Sequence, residues 1–405
     1  MGNNSSQESS SGSTRLDKLR RAEEALLRSG LDWWRNIKAQ YAPSKPDVSV
    51  FFNIFDVTLS PQEDKHPTLH AEQEKFGKPL HIHTVEYHAD PEALDEKPTQ
   101  DEVPMVLLHG FGSGIGIYSA CLAPLTATMG RRIYAIDGLG CGLSARPEWT
   151  LGYGTDSDLT QVEEYSVDAL DLWRQKIGVD KILLCGHSVG GYLSVAYAEK
   201  YPQHVEKLLL ISPAGVKGRP ETDGKKPKSR SVLFRFSRYL WRKGFSPLEI
   251  SKKYTGRFLV DQYVKRRFPD YDWLHKPLFA DYLFGIWTHD EPSAGAYHHV
   301  TLLHPGVYGR NPLEERIREL KVPHVAAVYG TSDWMKPSRF IPLVRAHEEE
   351  RRTSAARATA RATATTNSGD DDDDDDDIDV RGVEDLQFFQ VAEAGHNVQM
   401  DNPLA

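Results

Sequence analysis

The sequence predicts an α/β protein, with a mostly parallel central sheet and helices on both of its faces. Three observations carry this. Short apolar runs of strand length alternate with helical periodicity between residues 104 and 211. The same alternation resumes at residue 324 and ends in a last apolar run at 386–391. One strand-to-helix junction, Gly186-His187-Ser188-Val189-Gly190, is glycine-rich and short. Strands separated by helices must run parallel, and the crossovers cover both faces of the sheet. The chain has 405 residues, 39% hydrophobic and 26% charged. That composition supports a large core and excludes disordered and collagen-like classes.

Residues 1–13, rich in Ser, Asn and Gln, read as a disordered tail. Residues 14–45 read as an amphipathic helix. Leu16, Leu19, Ala22, Leu26, Leu27, Trp34 and Ile37 recur at roughly helical spacing, among Arg15, Lys18, Arg20 and Arg21. A basic helix with Trp33 and Trp34 either lies on a membrane surface or docks on its own domain. Residues 46–405 form the main domain. Strands are expected at 50–57 and 80–86 with a polar connection, then at 104–108, 133–137, 181–185, 205–211, 324–329 and 386–391. Helices are expected at 158–177 and 190–200.

After Pro213 the alternation stops, and residues 217–320 read as a helical lid insert. Residues 217–276 carry seventeen Lys or Arg against six Asp or Glu, interleaved with Phe234, Phe236, Tyr239, Trp241, Phe258 and Tyr263. Ser246-Pro247-Leu248-Glu249 reads as a capping box with Pro at the first helical position. Cations among rings suit a surface of anionic lipid head groups. They suit nucleic acid equally, but no nucleic-acid-binding module accompanies them, so none is expected as a partner. Residues 349–379 read as a disordered insert containing eight consecutive aspartates at 370–377. The net charge of -9 comes almost wholly from that tract and says little about a ligand.

No stretch approaches the ~20 apolar residues of a membrane span, and the basic-then-apolar order of a secretory signal is missing. Cys121, Cys141 and Cys185 have no metal-ligand spacing and cannot build a disulfide framework. The expected setting is intracellular: cytoplasmic, or peripheral on a lipid droplet, endoplasmic reticulum or mitochondrion. Met1-Gly2-Asn3-Asn4-Ser5-Ser6 fits the N-myristoylation pattern, or is a Ser-rich tail that matches by coincidence. One such chain alone would hold a membrane only marginally.

The junction at 186–190 is a G-x-S-x-G turn between a strand and a helix. Its glycines allow a cramped turn that lifts the Ser188 hydroxyl clear of the sheet. A serine hydroxyl at neutral pH is a poor nucleophile and needs a base. The expected chain order is Ser, then Asp or Glu, then His. Asp333 and His396 both follow strand-like runs, where ligands meet open α/β sheets. His396 would take the proton from Ser188, and Asp333 would hold the imidazole. The backbone N–H groups of Phe111, after His109-Gly110, and of Val189 are the expected oxyanion donors. No metal or organic cofactor is expected, since nucleophile, base and donors all come from the polypeptide.

These segments together resemble the α/β-hydrolase fold. Within it the match is to a lipid-acting group that includes N-acylphosphatidylethanolamine lysophospholipases, the lipid-droplet lipolysis coactivator and fungal cardiolipin deacylases. The carrying residues are Leu107-Leu108-His109-Gly110-Phe111-Gly112, the run from Asp137 to Pro147, the Ser188 turn with Lys200-Tyr201-Pro202, and Gly395-His396-Asn397. The resemblance implies hydrolysis of phospholipid or lysophospholipid acyl esters through an acyl-enzyme on Ser188. It implies a phospholipid or acylglycerol substrate met at a membrane or lipid-droplet surface. His396 and Asp401 form a His-x4-Asp spacing that the resemblance links to lysophosphatidic acid acyltransfer; on local grounds, Asp401 caps or pairs nearby. A non-catalytic lipase coactivator is the remaining alternative, and an intact Ser188, Asp333 and His396 set argues against it. The family adds a final helix where this chain ends at Ala405, so either the sequence is truncated or other elements cover that flank.

Overall fold

The computed structural model describes residues 13–41, 48–148, 150–151, 156–219, 256–269, 271–289, 294–335, 340–349, 352–353 and 383–404. The expected capping box at 246–249, the aspartate run and Gly2 lie outside them.

The chain opens with α1 (Arg15–Tyr41), followed by β1 (Phe51–Thr58), α2 (Pro67–Phe76) and β2 (His81–His88). Then come β3 (Met105–Leu108), α3 (Leu122–Met129), β4 (Ile133–Ile136), α4 (Asp156–Ile177), β5 (Ile182–His187), α5 (Val189–Lys200) and β6 (Val205–Ile211). The segment expected as a lid holds α6 (Arg257–Arg267), α7 (Lys276–Trp287) and α8 (Ala294–Leu302), then a small ribbon of β7 (Leu303–His304) and β8 (Tyr308–Gly309), and α9 (Leu313–Glu319). The chain returns through β9 (His324–Gly330), β10 (Asp385–Val391) and a last turn, α10 (Val398–Asp401).

Eight strands form one sheet in the order β1-β2-β4-β3-β5-β6-β9-β10. The β1–β2 and β2–β4 pairs are antiparallel and the rest are parallel. Central strands are buried on both faces, as in β3, where all four residues are buried. Strand geometry sends alternate side chains to opposite faces. Val106 and Leu108 accordingly join one core with Tyr165, Trp173 and Tyr197, while Met105 and Leu107 join the other with Tyr87, Tyr118 and Tyr282.

The polar connection before β2 contains a helix, α2. Among its residues Leu69 and Glu72 are buried, so it has no apolar stripe for periodicity to find. The punctuation was present: Pro67 opens it and Gly77 ends it in the left-handed conformation, φ 66°.

The two options for α1 resolve in favour of docking. Leu19, Leu26, Leu27, Leu31 and Trp34 are buried, and the helix lies chiefly along α7. A Cβ at Gly30 would collide with the Ser119 carbonyl, so the helix backbone sits directly on the turn at Ile115–Tyr118 and its successor. At the far end the Trp33 ring packs on Trp273, centroids 5.5 Å apart. No helix among the described residues is long and apolar enough to cross a membrane.

A charged cluster pins α1 to the sheet. His83 of β2 places Nδ1 2.7 Å from Asp56 Oδ1 and Nε2 2.8 Å from Glu23 Oε1. Glu23 lies on α1 and is 1% exposed. Burial opposes the imidazolium, but hydrogen bonds to the two carboxylates outweigh it and raise the His83 pKa from 6.5 to about 10. A raised pKa gives stabilisation that is complete below about 6.5 and is lost as pH rises through about 10. His83→Leu should leave Glu23 buried without its cation, at a cost of roughly 3 kcal/mol or more. Denaturant unfolding should show the loss, and amide exchange should rise along α1. Unchanged stability and exchange would refute the pinning.

Candidate active site

Ser188 sits between β5 and α5 with φ 56° and ψ -115°. That left-handed backbone is costly for a residue with a Cβ, on the order of 1–3 kcal/mol. Neighbouring structure enforces it. Ser188 N–H donates to Ile211 O at 2.9 Å, and its carbonyl accepts from Ala214 N–H at 3.0 Å. The turn needs glycine where it meets β3: a Cβ at Gly190 would clash with the Leu108 carbonyl and lie 2.6 Å from the His109 carbonyl.

Of the other two predicted side chains, His396 meets the serine and Asp333 meets His396. Asp333 follows β9 and His396 follows β10, both on the edge of the sheet where β5 ends. His396 Nε2 is 3.2 Å from Ser188 Oγ. Its Nδ1 is 3.3 Å from Asp333 Oδ1, a loose contact of the kind that tightens when substrate binds. Asp333 Oδ1 also accepts from the Met335 N–H at 2.8 Å. Burial works to raise the Asp333 pKa, but the His396 imidazole and the Met335 N–H prevail and hold it below the usual carboxylate value. The ionised form is therefore favoured beside His396.

The loop after β3 lies against this turn. A Cβ at Gly110 would come within 3.0 Å of Ser188 Cβ. The His109 ring bridges the Gly110 carbonyl at 2.8 Å and the Gly138 N–H at 3.2 Å, tying this loop to the end of β4. Trp287 of α7 donates from Nε1 to the Gly112 carbonyl at 2.7 Å. Phe111 and Val189 line two cavities that meet at this loop. Val189 opens α5, so its N–H has no carbonyl one turn back within the helix to bind.

One cavity, of about 1390 Å³ including its open mouth, contains Ser188 and His396 with Phe268, Phe279, Leu283, Trp287 and Trp334. The second, about 900 Å³ including its open mouth, runs behind the loop between Leu108, Leu139, Val167, Leu170, Leu193 and Ile286. Both are mainly apolar, and the larger has room for a hydrocarbon chain.

Asp401 points away from the imidazole chemistry. Its Oδ2 accepts from the Gly395 N–H at 2.8 Å, and its Oδ1 from Tyr271 Oη at 3.1 Å. Arg267 approaches both oxygens at 3.4 and 3.3 Å. It thus links the His396 turn to the lid.

Sequence reasoning missed His187, Trp287 and Arg267. His187 Nε2–H donates to the His396 carbonyl at 2.9 Å. Burial, then the nearby His396, push its pKa down to about 3, which keeps the ring neutral. Its place inside the pentapeptide was the available signal.

The strand order, a serine on a strained turn after β5, and an aspartate and a histidine after β9 and β10 give the chain the α/β-hydrolase fold. Residues 103–239 match the family model described as alpha/beta hydrolase fold. The similarity extends to the lipid-acting subgroup. The chain is 30% identical over 245 residues to 1-acylglycerol-3-phosphate O-acyltransferase ABHD5 of Sus scrofa, covering 57% of this chain and 64% of that protein. It is 27% identical over 245 residues to the (lyso)-N-acylphosphatidylethanolamine lipase of Homo sapiens, covering 59% of this chain and 67% of that protein. The match thus spans less than two thirds of the ABHD5 length. Among solved structures, a membrane phospholipase A described as a bacterial virulence factor superposes with a TM-score of 0.52 at 16% identity, covering 95% of this chain and 89% of that one.

Proposed function

We propose that the protein is a serine carboxylic-ester hydrolase acting on phospholipid or lysophospholipid acyl esters. The observation that carries this is the contact chain Ser188–His396–Asp333 at the wall of a lipid-sized apolar cavity. As Oγ attacks the ester carbonyl, His396 Nε2 takes its proton and Asp333 stabilises the imidazolium. The N–H groups of Phe111 and Val189 hold the oxyanion. The imidazolium then protonates the departing alcohol, leaving an acyl-enzyme. Water, deprotonated by His396, attacks the acyl carbonyl; the Oγ–acyl bond breaks, Ser188 Oγ takes the proton back from His396, and the fatty acid is released.

A lipid ester is met at an interface, and the lid carries suitable residues. Phe258 and Leu259 are exposed on α6, as are Tyr263 on the same helix and Trp334 at the cavity. Rings and apolar tips beside Lys265 and Arg266 support contact with an anionic membrane or droplet surface.

Acyl transfer is the second reading, supported by the acyltransferase name of a relative. The same acyl-enzyme would pass its acyl group to an alcohol in place of water. The test supplies purified protein with a radiolabelled phospholipid and, separately, with acyl-CoA and lysophosphatidic acid. Free fatty acid from the first supports hydrolysis, and phosphatidic acid from the second supports transfer. Neither product would sink both readings.

His187 acts in this scheme by holding the backbone of His396. His187→Ala should lower kcat by roughly tenfold to a hundredfold, as small misplacements of reacting groups do. KM should change little, and His187→Asn, which keeps a donor, should recover part of the rate. Loss in KM alone would refute this role.

A further inference from the structure

The larger cavity is mainly apolar, with Ser113, His187, Ser188, His396 and Asn397 as neutral polar groups in its lining. Among the described residues that line it, Arg267 is the one permanently charged side chain, and no carboxylate faces it there. Its guanidinium lies over the Phe268 ring, 5.1 Å from the centroid, in the cavity that also contains Ser188. Asp401 holds it from behind, but at 3.3 and 3.4 Å. A charge-assisted N–H···O contact at full strength is about 2.7–2.9 Å. The Asp401 oxygens are also shared with the Gly395 N–H and Tyr271 Oη. Arg267 is therefore oriented by Asp401 without being saturated by it. Its side chain keeps 28% exposure, and Asn397 lines the same cavity.

We propose that Arg267, aimed into the catalytic cavity by Asp401, binds the phosphate of a glycerophospholipid head group and so selects phosphate-bearing lipids over neutral acylglycerols. Asp401 is a positioning residue in this account. The His-x4-Asp spacing places one carboxylate where it can join the histidine turn to the cation that reads the head group. A guanidinium fork fits two phosphate oxygens at once. Lys265 and Arg266 precede it on α6 and add positive potential around it.

The proposal rests on the lipid-ester reading of the cavity, so the test is made independent of turnover. Short-chain ether analogues, which have no ester to cleave, are titrated below their micelle-forming concentrations by calorimetry at fixed salt. The probes are 1-O-octyl-glycerol-3-phosphate, 1-O-octyl-glycerol and inorganic phosphate. The full chain should bind the phosphate-bearing ether roughly tenfold to a hundredfold more tightly than the alkylglycerol. Arg267→Gln should bring that ratio close to one, and Arg267→Lys should keep part of it. Asp401→Asn should lower the ratio, with partial recovery in Asp401→Glu. A wild-type ratio near one overturns the proposal, as does a ratio that Arg267→Gln leaves intact. Inorganic phosphate binding as tightly as the ether phosphate would make this a free-phosphate site and overturn the lipid assignment. If the ratios behave as expected and no ester is cleaved, the hydrolase reading fails alone.

Discussion

Ser188→Ala should abolish acyl release and labelling by an alkyl fluorophosphonate, with a rate loss on the order of 10⁴-fold or more. Labelling follows the same first step as catalysis. The Oγ–P bond forms, the P–F bond breaks, fluoride leaves, and the proton passes to His396. Alanine keeps the Cβ, so the strained backbone at φ 56° is neither relieved nor worsened. The fold should therefore survive, with stability within about 0.5 kcal/mol of wild type. His396→Ala should cost a similar amount, and the double variant little more, because groups acting as a unit lose their effect together. Full labelling of the Ser188→Ala protein would refute the nucleophile.

Gly190→Val should do comparable damage by a different route. The new side chain would be driven into the Leu108 and His109 carbonyls. Those atoms belong to the end of β3 and the loop carrying Phe111. Backbone cannot yield as a flexible side chain does, so α5 or the loop must move. Overpacking of this kind costs about 1–3 kcal/mol or more, and a shift of about 1 Å in a reacting geometry costs about 10²-fold in rate. Both lower thermal stability and lower kcat are expected. Wild-type rates would mean that the loop after β3 does not position the oxyanion donors.

Much of this was visible in the primary structure because it is local. The turn around Ser188 compresses strand, glycine, nucleophile and helix start into a few residues. Strand positions fell within about two residues of those expected, since short apolar runs bounded by polar turns have few alternatives. Asp333 and His396 could be nominated because both follow strands of one parallel sheet, whose ends share one rim. Contacts between distant elements left no such trace. Nothing near Arg267 announces Asp401, and nothing near Trp287 announces Gly112. The placement of α1 was undecided because one apolar stripe serves a lipid surface and a protein surface alike. Glu23 was the overlooked sign. A carboxyl within the apolar face of a helix needs a specific partner, and His83 supplies it.

The clamping of α1 also ties its first turn to the wall of the larger cavity. Arg15 Nη1 donates to the Thr288 carbonyl at 3.1 Å, one residue beyond the indole that lines the larger cavity. A pull on the start of α1 is thus felt one peptide away from Trp287, whose Nε1 holds the Gly112 carbonyl.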